Sequence, residues 1–111
     1  MLTEQPILIT SIKCTEPGGI IRNRFINFQG AFGAEGTKTL GVVNADTNQD
    51  EMTPVTVKGI ALVQTAYAIS VGQAIQVFDD GTAAPHTTGP IEGYALDAAS
   101  GAYQLIRILL S

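Results

Sequence analysis

The amino-acid sequence predicts an all-β protein, either a small β-barrel or a sandwich of about seven short strands with little helix. Three observations support this prediction. Short runs rich in valine and isoleucine recur along the chain, and several of them alternate in the period-2 pattern of strands. Glycine, proline, asparagine and aspartate separate these runs as turn residues do. The spacing between them is typical of small all-β domains.

The first half of the chain carries the weaker strand signals. Residues 7–14 form the first predicted strand, which follows Pro6, a residue suited to the first position of a strand or to a sheet edge. Residues 16–19, Glu-Pro-Gly-Gly, form the turn after it, because proline restricts φ and glycine accepts positive φ. The next predicted segments are a strand with mixed faces at 20–29, a glycine-rich loop at 30–39, a short strand at 40–43 and a polar loop at 44–53.

The second half carries the clearer pattern. Residues 55–64 alternate along a long strand, in which Gly59 indicates a bulge or a bend. Asp79-Asp80-Gly81 marks a tight turn. The last strand, 103–110, is apolar on both faces, which predicts that most of both faces are covered. The remaining segments are strands at 74–78 and 92–96, a turn at 97–101 and one helical turn at 64–70.

Length and composition indicate one domain. A chain of 111 residues is long enough for a single core without metals or disulfides. Residues 1–18 are predicted to form an extended N-terminal arm or the first strand, and residues 19–111 a single β-rich domain. Charged residues make up 14% of the chain, against roughly 25% in average domains. Such a neutral surface suits a subunit packed against others, and a weakly charged monomer fits it nearly as well.

Charge and hydropathy predict neither a nucleic-acid nor a membrane partner. The net charge is −4 and the six basic residues are scattered, whereas nucleic-acid binding needs a basic footprint. Arg22 and Arg24 are interpreted as one solvated face. No apolar stretch approaches the length of about 18 residues that a membrane span needs, and no signal peptide is recognised. The single cysteine, Cys14, excludes an internal disulfide, fits a reducing compartment and is expected to be buried.

Two loops come close to ligand-binding motifs. The segment GAFGAEGTKT at 30–39 lacks the adjacent Gly-Lys pair of a phosphate-binding loop, because Thr37 intervenes, so it is interpreted as a flexible loop. Residues 46–50 match the start of a calcium loop, but Glu51 replaces the glycine and Val57 replaces the bidentate carboxylate. The residues 46–51 are interpreted as a solvated acidic loop, with weak incidental cation binding left open.

No catalytic, cofactor or metal site is predicted. His86 is the only histidine, it lies in a loop, and any Ser-His or Cys-His mechanism would depend on it. One cysteine and one histidine leave a structural zinc site two ligands short. The tyrosines lie in or beside predicted strands, where packing in a core or interface is the default, whereas a carbohydrate-binding module needs an exposed aromatic row. They are Tyr67, Tyr94 and Tyr103.

A resemblance covers residues of about 40–110. The segments AYAISVGQAIQVFDDGTAAP and PIEGYALDAASG, with the closing strand QLIRILL, resemble the small capsid decoration or cement proteins of tailed bacteriophages. These proteins share the order of apolar strand, acidic-glycine turn, glycine-apolar strand with an alanine-rich turn, and short final strand. The matching residues are Ile69, Gly72, Ile75, Val77, Asp80, Gly81, Gly93, Ala95, Leu96, Asp97, Ala98 and Arg107.

The resemblance implies a structural virion protein rather than an enzyme, with no cofactor. Its expected partners are the major capsid protein and further copies of itself, often as a homotrimer. It is expected on the exterior of the capsid, where it stabilises the expanded head by bridging capsomers, and in the host cytoplasm during assembly. The alternatives are a small β-barrel binding module, a tail-associated structural subunit, or a hydrolase that depends on His86.

The apolar segment near the N-terminus is the predicted contact site. We expect it to add a strand to a sheet edge of the capsid or of a neighbouring subunit. In the other interpretation it is simply the first strand of the protein's own barrel. The residues concerned are Pro6, Ile7, Leu8, Ile9, Thr10, Ser11 and Ile12.

Overall fold

Eight strands in the computed structural model, which describes residues 5–110, hydrogen-bond into one antiparallel, nearly closed barrel-like sheet. This confirms the predicted fold class. The strands are β1 (Gln5–Lys13), β2 (Phe25–Ile26), β3 (Gly41–Val43), β4 (Met52–Gln64), β5 (Ala74–Val77), β6 (Ala83–Pro85), β7 (Gly93–Ala95) and β8 (Leu105–Leu110). Their order is β2-β3-β4-β8-β7-β5-β6, with β1 paired to β4. A bridge from Thr65 to Ala83 brings β6 back to the end of β4.

The long strand β4 organises the sheet. Both β1 and β3 pair with Thr56, so they lie on opposite edges of β4. Both β1 and β8 pair with Ile60, so they too lie on opposite edges. Within residues 5–110, no strand pairs with the other edge of β1. Residues 5–13 are therefore an edge strand of this chain's own sheet, while residues 1–4 of the predicted arm lie outside the described residues.

Gly59 interrupts the β1–β4 pairing as its mid-strand position predicts. It has a φ of +102°, in the left-handed region that glycine tolerates. It pairs with Pro6, and the register shifts directly after this pair and again between Leu8 and Ile9. These shifts bend the outer edge of the sheet and change which side chains of β1 share a face.

Alternate residues of the strands build the core. On β4 the odd-numbered side chains point inward, among them Val55, Ala61 and Val63, and on β8 Ile106 and Ile108 do the same. A second, smaller cluster closes one end of the barrel, and Cys14 is fully buried there, as predicted. This alternation explains why the period-2 pattern was a reliable signal.

Three local predictions need correction. The predicted strand 20–29 shrinks to β2, since Asn23 takes a positive φ of 66°. The helical turn at 64–70 does not form, because Thr65 and Ile69 make β-bridges instead, and the short helix of the described chain is a 3₁₀ turn at Asp79–Gly81. Strand β6 forms where the sequence predicts no strand, since alanine and proline are weak strand formers.

Arg24 does not lie on a solvated face. Its Nε and one terminal nitrogen donate to Gln64 Oε1 at 3.0 and 2.8 Å, and its other terminal nitrogen donates to Asp80 O at 3.0 Å. Its guanidinium also lies 5.9 Å from the centre of the Phe32 ring. The arginine thus ties β2 to the end of β4 and to the 3₁₀ turn, and only Arg22 is left exposed.

Candidate interaction surface

The predicted contact residues on β1 divide between the two faces of the sheet. Leu8 and Ile9 are exposed, whereas Ile12 packs against the smaller core cluster. Ile12 lies opposite the buried Thr53, on the inner face. Gln5, Thr10 and Ser11 are exposed as well. The side chains of Pro6 and Ile7 lie outside the described part of the chain.

The register shift in β1 places two neighbouring apolar residues on one face. Leu8 pairs with Lys58 and Ile9 pairs with Thr56, so one step along β1 matches two steps along β4. In a regular strand, neighbours alternate between faces. Here both side chains lie on the side of the sheet that points away from the core. The shift therefore concentrates apolar area at the free edge.

The same side of the sheet continues across β4, β8 and β7. Leu109 pairs with Ile60 on one side and with Tyr94 on the other, so the three form a row across the strands. Leu105 and Leu62 lie beside this row on β8 and β4. We call this surface the outer face, and its apolar residues are Leu8, Ile9, Ile60, Leu62, Tyr94, Leu105 and Leu109.

The outer face is uncovered in the single chain. Leu8, Ile9, Tyr94, Leu105 and Leu109 are each between 41% and 52% exposed, and they make up five of the eleven large exposed hydrophobic residues recorded for the described chain. The sequence predicts that most of both faces of the last strand are covered. Ile106 and Ile108 are indeed buried, but nothing within residues 5–110 covers Leu105 and Leu109. Contiguous apolar patches of this kind mark interaction sites.

An ion pair lies in the middle of this surface. Arg107 pairs with Leu62 across the strands. Its Nε donates to Asp97 Oδ2 at 3.0 Å, its terminal nitrogen donates to Oδ1 at 2.9 Å, and its backbone N–H donates to Oδ2 at 2.9 Å. The Arg107 hydrogen bonds lower the pKa of Asp97, and the Asp97 carboxylate raises the pKa of Arg107. The two charges largely neutralise each other, so the remaining charge on this surface is that of the exposed Lys58, which lies opposite Leu8.

We expect the Asp97–Arg107 pair to stabilise the fold at neutral pH and not in strong acid. The folded-state pKa of Asp97 is lowered. The ion pair therefore stabilises the folded state fully at pH values above the unfolded-state pKa of about 3.9, and this stabilisation is lost as the pH falls through the folded-state pKa. In urea unfolding, the difference in unfolding free energy between the wild type and Asp97→Asn should therefore be larger at neutral pH than at about pH 2. Equal differences at the two pH values would contradict this prediction.

The carboxylates of the acidic loop 46–51 bind neighbouring groups of the protein. Asp46 Oδ1 accepts the backbone N–H of Arg22 at 2.9 Å, and Glu51 Oε1 accepts that of Asn48 at 3.0 Å. Asp50 lies 3.8 Å from Lys13 Nζ. In residues 5–110, no group of three or more histidine, cysteine, aspartate or glutamate side chains is arranged to hold a metal ion.

His86 also has a local partner. Its Nε2 lies 2.8 Å from Gly89 O, which closes the loop in which both residues lie. Within the described residues no serine hydroxyl or thiol is recorded as a hydrogen-bond partner of the ring. Among those residues, none of the helices is long and apolar enough to cross a membrane.

Sequence reasoning missed most of the outer face. It selected β1 but left out Tyr94, Leu105 and Leu109, which it assigned to ordinary packing. A usable signal existed in the last strand, where Leu105 and Leu109 lie on one face and Ile106 and Ile108 on the other, so that both faces carry apolar residues. A strand at the surface of one subunit can bury its second face only against another molecule.

Comparisons with known proteins identify the fold and the family of this chain. No curated protein matches the chain. A solved structure, the N-terminal base of the head fiber protein gp8.5 of bacteriophage phi29, shares the fold with a TM-score of 0.76 and 24% sequence identity, over 94% of this chain and 95% of that chain. The family model described as "Phage cement protein" matches residues 5–110. The resemblance predicted from the sequence is thereby confirmed, and this chain belongs to the phage cement protein family, a family of structural phage proteins.

Proposed function

We propose that this protein binds the exterior of a phage head and stabilises the expanded shell by bridging neighbouring capsomers. The observation that carries the proposal is the outer face, which concentrates exposed apolar side chains of β1, β7 and β8 on one side of the sheet. An apolar surface with a neutralised ion pair at its centre suits a large, permanent contact. The major capsid protein is the proposed partner.

The edge of β1 supports a second contact. The strand is nine residues long, and Lys13 at its end is its only charged residue. The register shifts bend its first half, whereas the pairing from Ile9 to Lys13 is regular and leaves one edge of the strand without a partner among the described residues. Unpaired strand edges invite strand addition. We propose that the segment from Pro6 to Ile12 pairs there with a strand of the capsid or of a neighbouring copy, in a homotrimer.

Binding of many copies would account for the stabilisation. Each subunit that binds the assembled shell, but not its separated capsomers, shifts the equilibrium toward the assembled state by mass action. A subunit that spans two capsomers also raises the effective concentration of the second contact once the first has formed. This role needs no reaction centre, and it uses neither the loop 30–39 nor the loop 46–51.

Electron microscopy of decorated heads tests the proposal. Purified protein is mixed with expanded, empty heads that lack it, and the heads are imaged. We expect regular protrusions at local symmetry axes, together with greater resistance of decorated heads to heat or chelators. Undecorated heads would contradict the proposal, and binding to tails in the same experiment would favour a tail-associated subunit.

A further inference from the structure

A groove separate from the outer face lies along β5 and β6. A cavity of about 200 Å³ is lined by Tyr67, Phe78, Gln76, Glu35 and Thr87, among others. A second cavity, of about 120 Å³, shares Tyr67 and Phe78 and adds Tyr103 and Asp80. The two cavities thus form the lobes of one groove on either side of the Tyr67–Phe78 ring pair. In the strand order, β5 lies beside β7, whose Tyr94 forms the border of the outer face, so the groove adjoins that face but shares none of its apolar residues.

Gln76 lines the larger lobe, and its side-chain amide is held in one orientation by its oxygen. The residue is only 4% exposed. Its Oε1 accepts the backbone N–H groups of Thr87 and Thr88 at 2.9 and 3.2 Å. Two N–H donors identify this atom as the oxygen, so the amide nitrogen must point the other way.

The amide nitrogen of Gln76 has no protein partner among the described residues. The nitrogen also keeps some contact with solvent. Among residues 5–110, Thr53 Oγ1 is the one side-chain polar atom that is both fully buried and without a partner, so the Gln76 nitrogen is not fully buried. Buried polar groups normally have their hydrogen bonds satisfied. A side chain that is held by its oxygen while its two N–H groups remain unused is therefore prepared for a ligand oxygen.

Aromatic rings form the wall of the groove. Tyr67 is 51% exposed and Tyr103 is 71% exposed, so neither packs in the core. The Tyr67 and Phe78 rings meet edge to face, with centroids 5.2 Å apart, which holds the Tyr67 ring in place. Tyr103 has a φ of +63°, a strained conformation for a bulky residue. The strain is tolerated at a position where the ring lines the smaller lobe.

We propose that this groove binds a neutral sugar residue of a polysaccharide. The C–H face of a pyranose ring stacks on an aromatic ring, and each of its hydroxyl groups both donates and accepts hydrogen bonds. Gln76 provides the donor and the Glu35 carboxylate an acceptor at the larger lobe. The Asp80 carboxylate at the smaller lobe already accepts the Thr82 hydroxyl at 2.9 Å and lies 4.0 Å from Arg24, so it adds a weaker acceptor. These carboxylates disfavour an anionic ligand. A proline-rich peptide offers acceptors but few donors, so it would leave the carboxylates unmatched.

This activity goes beyond attachment to the head. A virion whose decoration subunits bind sugar could adhere weakly and multivalently to a polysaccharide surface. The groove and the outer face use different residues, so loss of one activity need not affect the other.

Titrations followed by ¹H–¹⁵N NMR spectra test the sugar site, with maltohexaose, cellohexaose and chitohexaose as probes. We expect at least one of them to shift the amide signals of Tyr67, Gln76 and Phe78 saturably. Gln76→Glu keeps an oxygen for Thr87 and Thr88 but removes the donor, so it should weaken binding about tenfold or more. Tyr67→Ala should do the same. The matched control Tyr94→Ala removes an exposed tyrosine of the outer face and should bind sugar as the wild type does.

Several outcomes would overturn the proposal. They are no response of these amides to any of the three hexasaccharides, a response to a decaproline peptide instead, and unchanged binding by both Gln76→Glu and Tyr67→Ala. Because Tyr67 is exposed, Tyr67→Ala stays informative even where Gln76→Glu fails to fold. Head decoration by Tyr67→Ala, measured in parallel, should equal that of the wild type, so failure of the sugar site and failure of the head-binding function are distinguishable.

Discussion

Replacement of Glu92 by alanine is expected to lower the free energy of unfolding by about 3 kcal/mol, because it leaves two buried hydrogen-bond donors without a partner. Glu92 is only 2% exposed. Its carboxylate accepts the backbone N–H of Thr39 at 3.1 Å, the Thr39 hydroxyl at 2.8 Å and Lys38 Nζ at 2.9 Å. Thr39 is equally buried, so its two donors lose their acceptor in a site with little access to solvent.

Lys38 contributes less to the expected loss. Its side chain is about half exposed, so its charge remains hydrated when the carboxylate is removed. The main effect therefore arises at Thr39, which connects the loop before β3 to the segment before β7. Glu92 and Thr39 are 53 residues apart in the sequence, so their hydrogen bonds join two distant segments.

Urea unfolding at neutral pH measures the effect. Glu92→Gln keeps one acceptor oxygen and should lie between the wild type and Glu92→Ala. Glu35→Ala is the matched control, because Glu35 is an exposed glutamate without a recorded ion pair, and its unfolding free energy should change by less than about 0.5 kcal/mol. If Glu92→Ala unfolds with the same free energy as Glu35→Ala, the network does not stabilise the fold.

The second large effect is expected on head binding. Leu109→Lys places a charge at the centre of the row formed by Ile60, Leu109 and Tyr94. A lysine that is buried at an apolar interface loses its hydration without gaining a partner. A central interface residue contributes about 2 kcal/mol or more, so we expect the affinity for expanded heads to fall about thirtyfold or more.

The fold should tolerate this substitution, since Leu109 is nearly half exposed in the single chain. Ile21→Lys is the matched control: Ile21 is an exposed isoleucine in the loop between β1 and β2, away from the outer face, and its variant should decorate heads normally. Equal binding of Leu109→Lys and Ile21→Lys would show that the outer face does not meet the head.

Light scattering of the same variants identifies what the outer face contacts. A Leu109→Lys protein that keeps its oligomeric state but loses head binding places the capsid on this surface. A protein that loses its oligomeric state assigns the surface to contacts between copies. The first result supports the proposed function, and the second contradicts the assignment of the outer face to the capsid.

The predictable part of this protein depends on local rules. Strand alternation in residues 55–64, the Asp79-Asp80-Gly81 turn and the mid-strand bulge at Gly59 follow from side-chain period and from glycine φ, and each lies where the sequence predicts it. The family resemblance depends on the same run of strands and turns. For this reason the fold class and family were accessible without coordinates.

The sequence alone thus determined an all-β chain without a recognisable reaction centre, because strand period and turn chemistry are properties of neighbouring residues. Only the tertiary structure decided which apolar faces stay open. Leu105 and Ile106 are neighbours in sequence, yet one is exposed and the other buried, because the barrel closes over one side of β8. The free donor of Gln76 likewise depends on Thr87 and Thr88, eleven and twelve residues away. Such surfaces arise from pairing between distant segments, which no local pattern encodes.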